Sequence, residues 1–188
     1  MASEPRQRLT IQDYLTLERQ SETRSDYLDG EMFAMTGASR QHNRIVLNLA
    51  FSLDSQLGEK GCEVFASEMR VRTPTNLFTY PDVAVACGEV RYEDSEIDTL
   101  LNPIVVIEVL SKSTEAYDRV TKLAHYKTIP SLAEILLIAQ NQPHVEHWMR
   151  QPDDRWLVEE RNEVGQTLDL PSIGCTLAMA EIYRRVIG

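Results

Sequence analysis

The seven residues Ile104-Val-Val-Ile-Glu-Val-Leu110 are apolar at every position but one, and mostly β-branched. A strand with one wet face alternates polar and apolar residues, and this run does not. It therefore predicts a strand covered on both faces, at the centre of a sheet flanked by helices. The exception is Glu108. A carboxylate in such a strand costs several kcal/mol unless it is paired, protonated or bound to a metal. One segment thus sets both the architecture and the place to look for chemistry.

The rest of the chain supplies the flanking elements. Thr10 can cap a helix that carries Ile11, Tyr14 and Leu15 on one face. Asp26–Met35 reads as a hairpin turning at Asp29-Gly30. Ser39–Leu57 is a long helix with Ile45, Val46, Leu49, Leu53 and Leu57 as its apolar stripe, stopped by Gly58. Cys62–Arg72 and Thr79–Ala86 each read as one strand. Thr114–Thr128 is a second long helix. Glu134–Ala139, His144–Arg150 and Arg155–Glu159 are strands, and Ala178–Val186 is a short terminal helix. The expected fold is α/β, a mixed sheet flanked by helices, in one domain over residues 1–188.

Three further groups of residues carry chemistry. Asp82 follows Pro81 at the head of an apolar strand, either as a turn residue or as a partner of Glu108. Two strand carboxylates, a carbonyl and waters suit a hard divalent cation such as Mg²⁺ or Mn²⁺. Asp118, Lys122 and Tyr126 recur at four-residue intervals on the helix after Glu108 and share one face. The short Ser111–Thr114 connection allows that face to point back at Glu108. The alternative is a surface ion pair between Asp118 and Lys122.

Charge narrows the function classes. The chain carries 19 Lys+Arg against 29 Asp+Glu, a net charge of -10. That excludes a general nucleic-acid coat protein, which needs an excess of cations. Much of the acidity sits in Glu89–Asp98 and Gln151–Gln166, read as solvated loops or outer strand faces. Ser111–Thr128, with Lys112, Arg119, Lys122 and Lys127, is locally basic. Arg40, Arg44, Arg70 and Arg72 are expected to join these around the acids. Cys62, Cys87 and Cys175 are few and far apart, and read as free thiols in a reducing cytoplasm. The polar Met1–Thr10 shows no apolar signal core, and no apolar run approaches the roughly 20 residues of a membrane span. A cytoplasmic protein without a membrane partner is expected. His144 and His147, three apart on a strand, face opposite ways and are not a zinc pair.

Taken together, several stretches resemble a known family. They are Leu28–Gly37, His42, Tyr80-Pro-Asp-Val-Ala-Val85, Pro103–Ser111, Ser113-Thr114, Asp118, Lys122 and Tyr126. The pattern resembles the Uma-type branch of restriction-endonuclease-like proteins in the PD-(D/E)XK nuclease-like superfamily, over about Leu9–Arg150. The resemblance implies a restriction-endonuclease-like core and metal-dependent cleavage of DNA. It makes Asp82 and Glu108 the metal ligands, with the Val109 carbonyl as a further ligand. Glu31 would complete the site, with Asp26 as its rival. His42 would touch substrate or metal-bound water, or else make a helix-start hydrogen bond. Asp118 and Tyr126 would lie against the substrate.

One departure matters. The superfamily places a lysine two residues after the glutamate, where this chain has Leu110. Lys122, on the following helix, is the natural replacement to position the attacking water; Lys112 lies past the expected strand end. The leading expectation is an Mg²⁺- or Mn²⁺-dependent DNA endonuclease working as a homodimer. The alternative is a noncatalytic nuclease-like module that binds nucleic acid or protein.

Overall fold

A computed structural model describes residues 8–35, 37–58 and 60–187. The expectation for Met1–Thr10 falls mostly on Met1–Gln7, outside the described residues, as does Thr36 of the matched Leu28–Gly37 stretch. In chain order the elements are α1 (Ile11–Gln20), β1 (Ser25–Leu28), β2 (Glu31–Ala34), α2 (Arg40–Leu57), β3 (Cys62–Ala66), β4 (Arg70–Arg72), β5 (Phe78–Thr79), β6 (Val83–Cys87) and β7 (Thr99–Leu100). Then come β8 (Val105–Leu110), α3 (Glu115–Tyr117), a π-helical turn (Asp118–Lys122), α4 (Leu123–Tyr126), β9 (Glu134–Ala139), β10 (Val145–Arg150), β11 (Trp156–Arg161), β12 (Thr167–Leu170), β13 (Cys175–Ala178) and α5 (Met179–Ile182). No helix among the described residues is long and apolar enough to cross a membrane.

The apolar run forms β8, buried along its whole length in a sheet ordered β11-β10-β9-β8-β6-β3. It runs parallel to β9 and antiparallel to β6. Alternation splits its side chains between two cores. Val105, Ile107 and Val109 pack beneath α2 with β13 and α5. Val106 and Leu110 pack on the other face with Leu123, Tyr126, Ile129 and Leu132.

The second sheet, ordered β2-β1-β5-β4-β7, arises where two expected strands each break in two. Cys62–Arg72 divides into β3 and β4, and Thr79–Ala86 into β5 and β6. Ser67, at φ 59°, and Pro81-Asp82 make the corners. Proline has no N–H to give a ladder, and Ser67 N–H donates across the corner to the Asp82 carbonyl at 3.0 Å. The chain therefore passes from the large sheet to the small one and back. Asp82 sits at the junction.

Local signals held elsewhere. Thr10 and Asp13 form a reciprocal capping box on α1. Asp29 and Gly30 both take positive φ, as a tight primed turn between β1 and β2 requires. Two expectations need correction. β12 and β13 form a hairpin beyond the expected strands, and the terminal helix, expected over Ala178–Val186, is only α5. Cys62 and Cys87, expected as free thiols, are disulfide-bonded with Cα atoms 3.9 Å apart, because the β3–β6 register sets them directly opposite each other. Cys175 is a buried free thiol.

Candidate active site

Glu108 has the strand parity of Val106 and Leu110, so its carboxylate faces the helical segment after β8. Three side chains of that segment meet it or each other. Tyr126 OH donates to Glu108 Oε1 at 2.6 Å. Lys122 Nζ lies 3.2 Å from the same oxygen and 3.4 Å from Asp118 Oδ1. The middle of the segment is π-helical, with Leu123 N–H reaching back to Asp118. The wider turn keeps residues four apart nearly in line, so Asp118 and Lys122 face the strand together. Such π turns recur at functional sites.

Asp82 reaches Glu108's neighbour from the sheet junction. The β6–β8 ladder ends at Val83↔Ile107, which leaves the β8 edge open beside Val109. Asp82 Oδ2 accepts the Val109 N–H at 2.7 Å, and Oδ1 lies 2.8 Å from His42 Nε2 in the first turn of α2. In an extended strand the N–H and C=O of one residue point to the same edge. The Val109 carbonyl is therefore on the edge that Asp82 occupies.

The small sheet contributes the fourth acid. Asp26 on β1 is buried, with Oδ2 4.0 Å from Lys122 Nζ. Among the described residues its Oδ1 meets no donor in good hydrogen-bond geometry, nor do the buried Thr79 Oγ1 and Tyr117 OH find partners, although both hydroxyls are neighbours of the Asp26 carboxylate. Glu31 is exposed on β2 and makes no ion pair or hydrogen bond to this cluster among the described residues. Of the two candidates on the hairpin, the structure brings in Asp26 and leaves Glu31 outside.

Three carboxylates, of Asp26, Glu108 and Asp118, thus meet one buried ammonium, with that of Asp82 near enough to be felt. Burial pushes Glu108 up to about 8; Lys122 pulls it down, but Asp118 and Asp82 add to the rise. Burial raises Asp26 as well, against the pull of Lys122. Lys122 moves the other way from an isolated buried lysine. Burial alone would lower it, yet Glu108, Asp26, Asp118 and Asp82 together hold it above its usual range. It is a fixed cation here, a donor rather than a base. Tyr126 is held well above its usual range by burial and by Glu108, so its hydroxyl remains a donor.

The arrangement has the charge and the donors for a divalent cation of the Mg²⁺ class. It holds an excess of carboxylate, an unpartnered Asp26 oxygen, and a carbonyl edge between Asp82 and Glu108. Glu108 Oε1 takes both Tyr126 and Lys122, whereas Oε2 takes no hydrogen bond from the described residues. Among the described residues no group of three or more His, Cys, Asp or Glu is placed to hold a metal ion, so a cation here would rest on one or two carboxylates and keep several waters. His147 is buried at 2.5 Å from Glu134 and serves the core.

The basic residues divide differently from expectation. Arg70 is buried against Tyr80, Thr99 and Asp98, and Arg72 pairs with Glu93. Arg119 pairs with Glu115 and Glu146, and Lys127 sits 3.7 Å from the centre of the Trp148 ring. Of the expected set, Arg40, Arg44, Lys112 and Lys127 have no acidic partner among the described residues, and Lys127 is taken up by the Trp148 ring.

Comparison with known proteins gives the family and the fold. Residues 11–180 match the Uma2 family, described as "Putative restriction endonuclease". The chain belongs to that family. It is 37% identical over 153 residues to the uncharacterized protein sll1609 of Synechocystis sp., covering 81% of this chain and 86% of that one. It is 32% identical to the uncharacterized protein slr1290 of the same organism, over 97% of this chain and 95% of that one. The fold is similar to the crystal structure of a putative nuclease belonging to DUF820 from Anabaena variabilis, with TM-score 0.72 and 20% identity. That match covers 93% of this chain and 97% of the other. The Uma2 match spans every residue of the cluster, from Asp26 to Tyr126.

Proposed function

We propose that this chain is a divalent-metal-dependent endonuclease that hydrolyses DNA phosphodiester bonds. The observation that carries the reading is Asp82 seated on the Val109 N–H beside Glu108, with Lys122 bridging Glu108 to Asp118. Asp82, Glu108 and the Val109 carbonyl would hold Mg²⁺ or Mn²⁺, with Asp26, rather than the exposed Glu31, as the further acid. When bound, the ion supplies positive charge against the charge that develops on the phosphoryl group. The chain's own residues do the rest. Tyr126 and Lys122 fix Glu108 through Oε1 and leave Oε2 free. His42 and the Val109 N–H fix Asp82. Asp118 and Asp26 keep Lys122 charged, so that its ammonium can hold a water by donating to it. Action on DNA would place the protein in the cytoplasm, and cutting both strands calls for a second copy.

A noncatalytic binding module is the second reading, favoured by Leu110 at the usual lysine position and by a Lys122 already shared among carboxylates. One set of measurements separates them. Purified protein is incubated with plasmid, linear duplex and single-stranded DNA, with Mg²⁺ or Mn²⁺ and with a chelator. The nuclease reading expects metal-dependent cleavage that Asp82→Asn and Glu108→Gln abolish. Cleavage that survives both substitutions would sink the site assignment. No cleavage, together with no thermal shift from Mn²⁺, would favour the binding module.

A further inference from the structure

The long helix α2 has two faces of different character. Ile45, Val46, Leu49, Leu53 and Leu57 are buried over the large sheet. On the outer face Leu47 is 56% and Phe51 66% exposed, the latter among the most exposed large apolar side chains described. These two are four apart, so they form one apolar patch. Arg44 lies one turn before the patch and Asp54 one turn after it. Neither makes an ion pair or a side-chain hydrogen bond among the described residues, although the structure pairs most of its other arginines.

The spacing of these four residues is symmetric about Leu49. Leu47 and Phe51 stand two positions either side of it, Arg44 and Asp54 five positions either side. An antiparallel helix pair with its twofold axis at Leu49 would set Leu47 against the partner's Phe51, and Arg44 against the partner's Asp54. Each contact would occur twice, as an isologous interface demands. The apolar centre and charged ends follow the usual division of an interface into dry core and polar rim. A partner of different sequence would need to match this order of charges; a second copy of the chain does so by itself.

We propose that the outer face of α2 is the interface of a homodimer, with the two α2 helices antiparallel about Leu49. The dimer stands independently of the nuclease reading. If both hold, each copy carries its site at the α2 end marked by His42. The two His42 residues, each seven positions from the axis, then lie about 21 Å apart along the helix direction, roughly six base-pair steps.

The test is sedimentation velocity and light scattering on the full chain at roughly 1–100 μM. The wild type is expected to dimerise as concentration rises, and Phe51→Glu to remain monomeric with an unchanged circular dichroism spectrum. Arg44→Asp and Asp54→Arg should each weaken dimerisation by about tenfold or more. The double variant Arg44→Asp/Asp54→Arg should restore it, because the swapped charges meet again across the axis. A wild type that stays monomeric throughout the range would overturn the proposal. So would a dimer indifferent to Phe51→Glu. Single variants that weaken the dimer without rescue by the double variant would overturn the antiparallel register. Because no readout depends on cleavage, failure of DNA cleavage has no bearing on the result.

Discussion

Replacing Lys122 by methionine removes the only ammonium from a buried group of acids while keeping most of its volume. Lys122 Nζ is 3.2 Å from Glu108, 3.4 Å from Asp118 and 4.0 Å from Asp26. At an effective dielectric of about 20, each contact is worth roughly 4–5 kcal/mol before solvation is counted. These values do not add, because burying the ammonium itself is costly and the acids can take up protons once it is gone. Proton uptake sets the ceiling: holding one carboxyl neutral at pH 8 costs about 5 kcal/mol if its unfolded value is near 4.5. A loss of about 3–5 kcal/mol at pH 8 is expected, as for other broken buried pairs. For a chain of this length that corresponds to a fall in Tm of about 6–20 °C. The sign with pH follows from the same ceiling. The carboxyls left behind have raised folded values, so their protonated forms favour the fold at low pH and the penalty grows as pH rises. At pH 5 the loss should shrink to about 1 kcal/mol. The assay is thermal and urea unfolding of wild type and Lys122→Met at pH 5, 6.5 and 8 with chelator present. A loss under about 1 kcal/mol at pH 8, or one equally large at pH 5, would refute the picture of an acid cluster held by one cation.

Glu108→Gln tests the same balance from the other side. Glu108 is pushed up to about 8 in the folded chain, so its stabilising protonated form is lost as pH rises from about 4.5 to 8. Metal-free wild type should lose about 1 kcal/mol per pH unit in that window from this group, and the variant should lack that component of the slope in urea titrations. Asp26→Asn removes the acid whose Oδ1 is unpartnered; with metal absent it should cost under about 2 kcal/mol or even stabilise, whereas Mn²⁺ should raise its Tm less than it raises that of wild type. Reducing the Cys62–Cys87 bridge should lower stability by roughly 3 kcal/mol, from the loop of 25 residues it closes, while Cys62→Ser should become insensitive to reductant.

The sequence revealed what local physics decides. A β-branched run apolar at all but one position pointed to a covered strand, and the one carboxylate within it needed partners. Tyr126 and Lys122, four apart on the next helix, are those partners, as their spacing implied. What stayed hidden depended on contacts distant in the chain. The alternation of Cys62–Arg72 changes phase at Ser67-Glu68, apolar at Val64 and Ala66 before it and at Met69 and Val71 after it, which marks a local break but not that the two halves belong to different sheets. The same holds at Pro81-Asp82, where the proline was visible but not its role as a junction. Cys62 faces Cys87 only because of the β3–β6 register. Asp26 and Glu31 lie on opposite strands of one hairpin, and both are acids near a turn. Only the docking of β1 beside β5 makes Asp26 the buried one.

The net charge of -10 then takes on a specific meaning. An acidic nuclease needs its few cations on the DNA face, yet Arg70, Arg72 and Arg119 are committed to acids and Lys127 to an aromatic ring within the fold. Arg40 and Lys112 remain to meet phosphate, with Arg44 engaged if α2 pairs with its copy. Two or three phosphate contacts per chain release few counterions, so the logarithm of DNA affinity should fall with the logarithm of salt at a slope of only about -2 to -3. Fluorescence anisotropy with a catalytically blocked Glu108→Gln chain, titrated across salt, measures that slope. A steep value near -6 or beyond would mean that the face which meets DNA lies elsewhere, on cations other than these. A shallow slope places the weight of productive binding on the acids themselves, where a divalent cation turns repulsion of the phosphate into attraction.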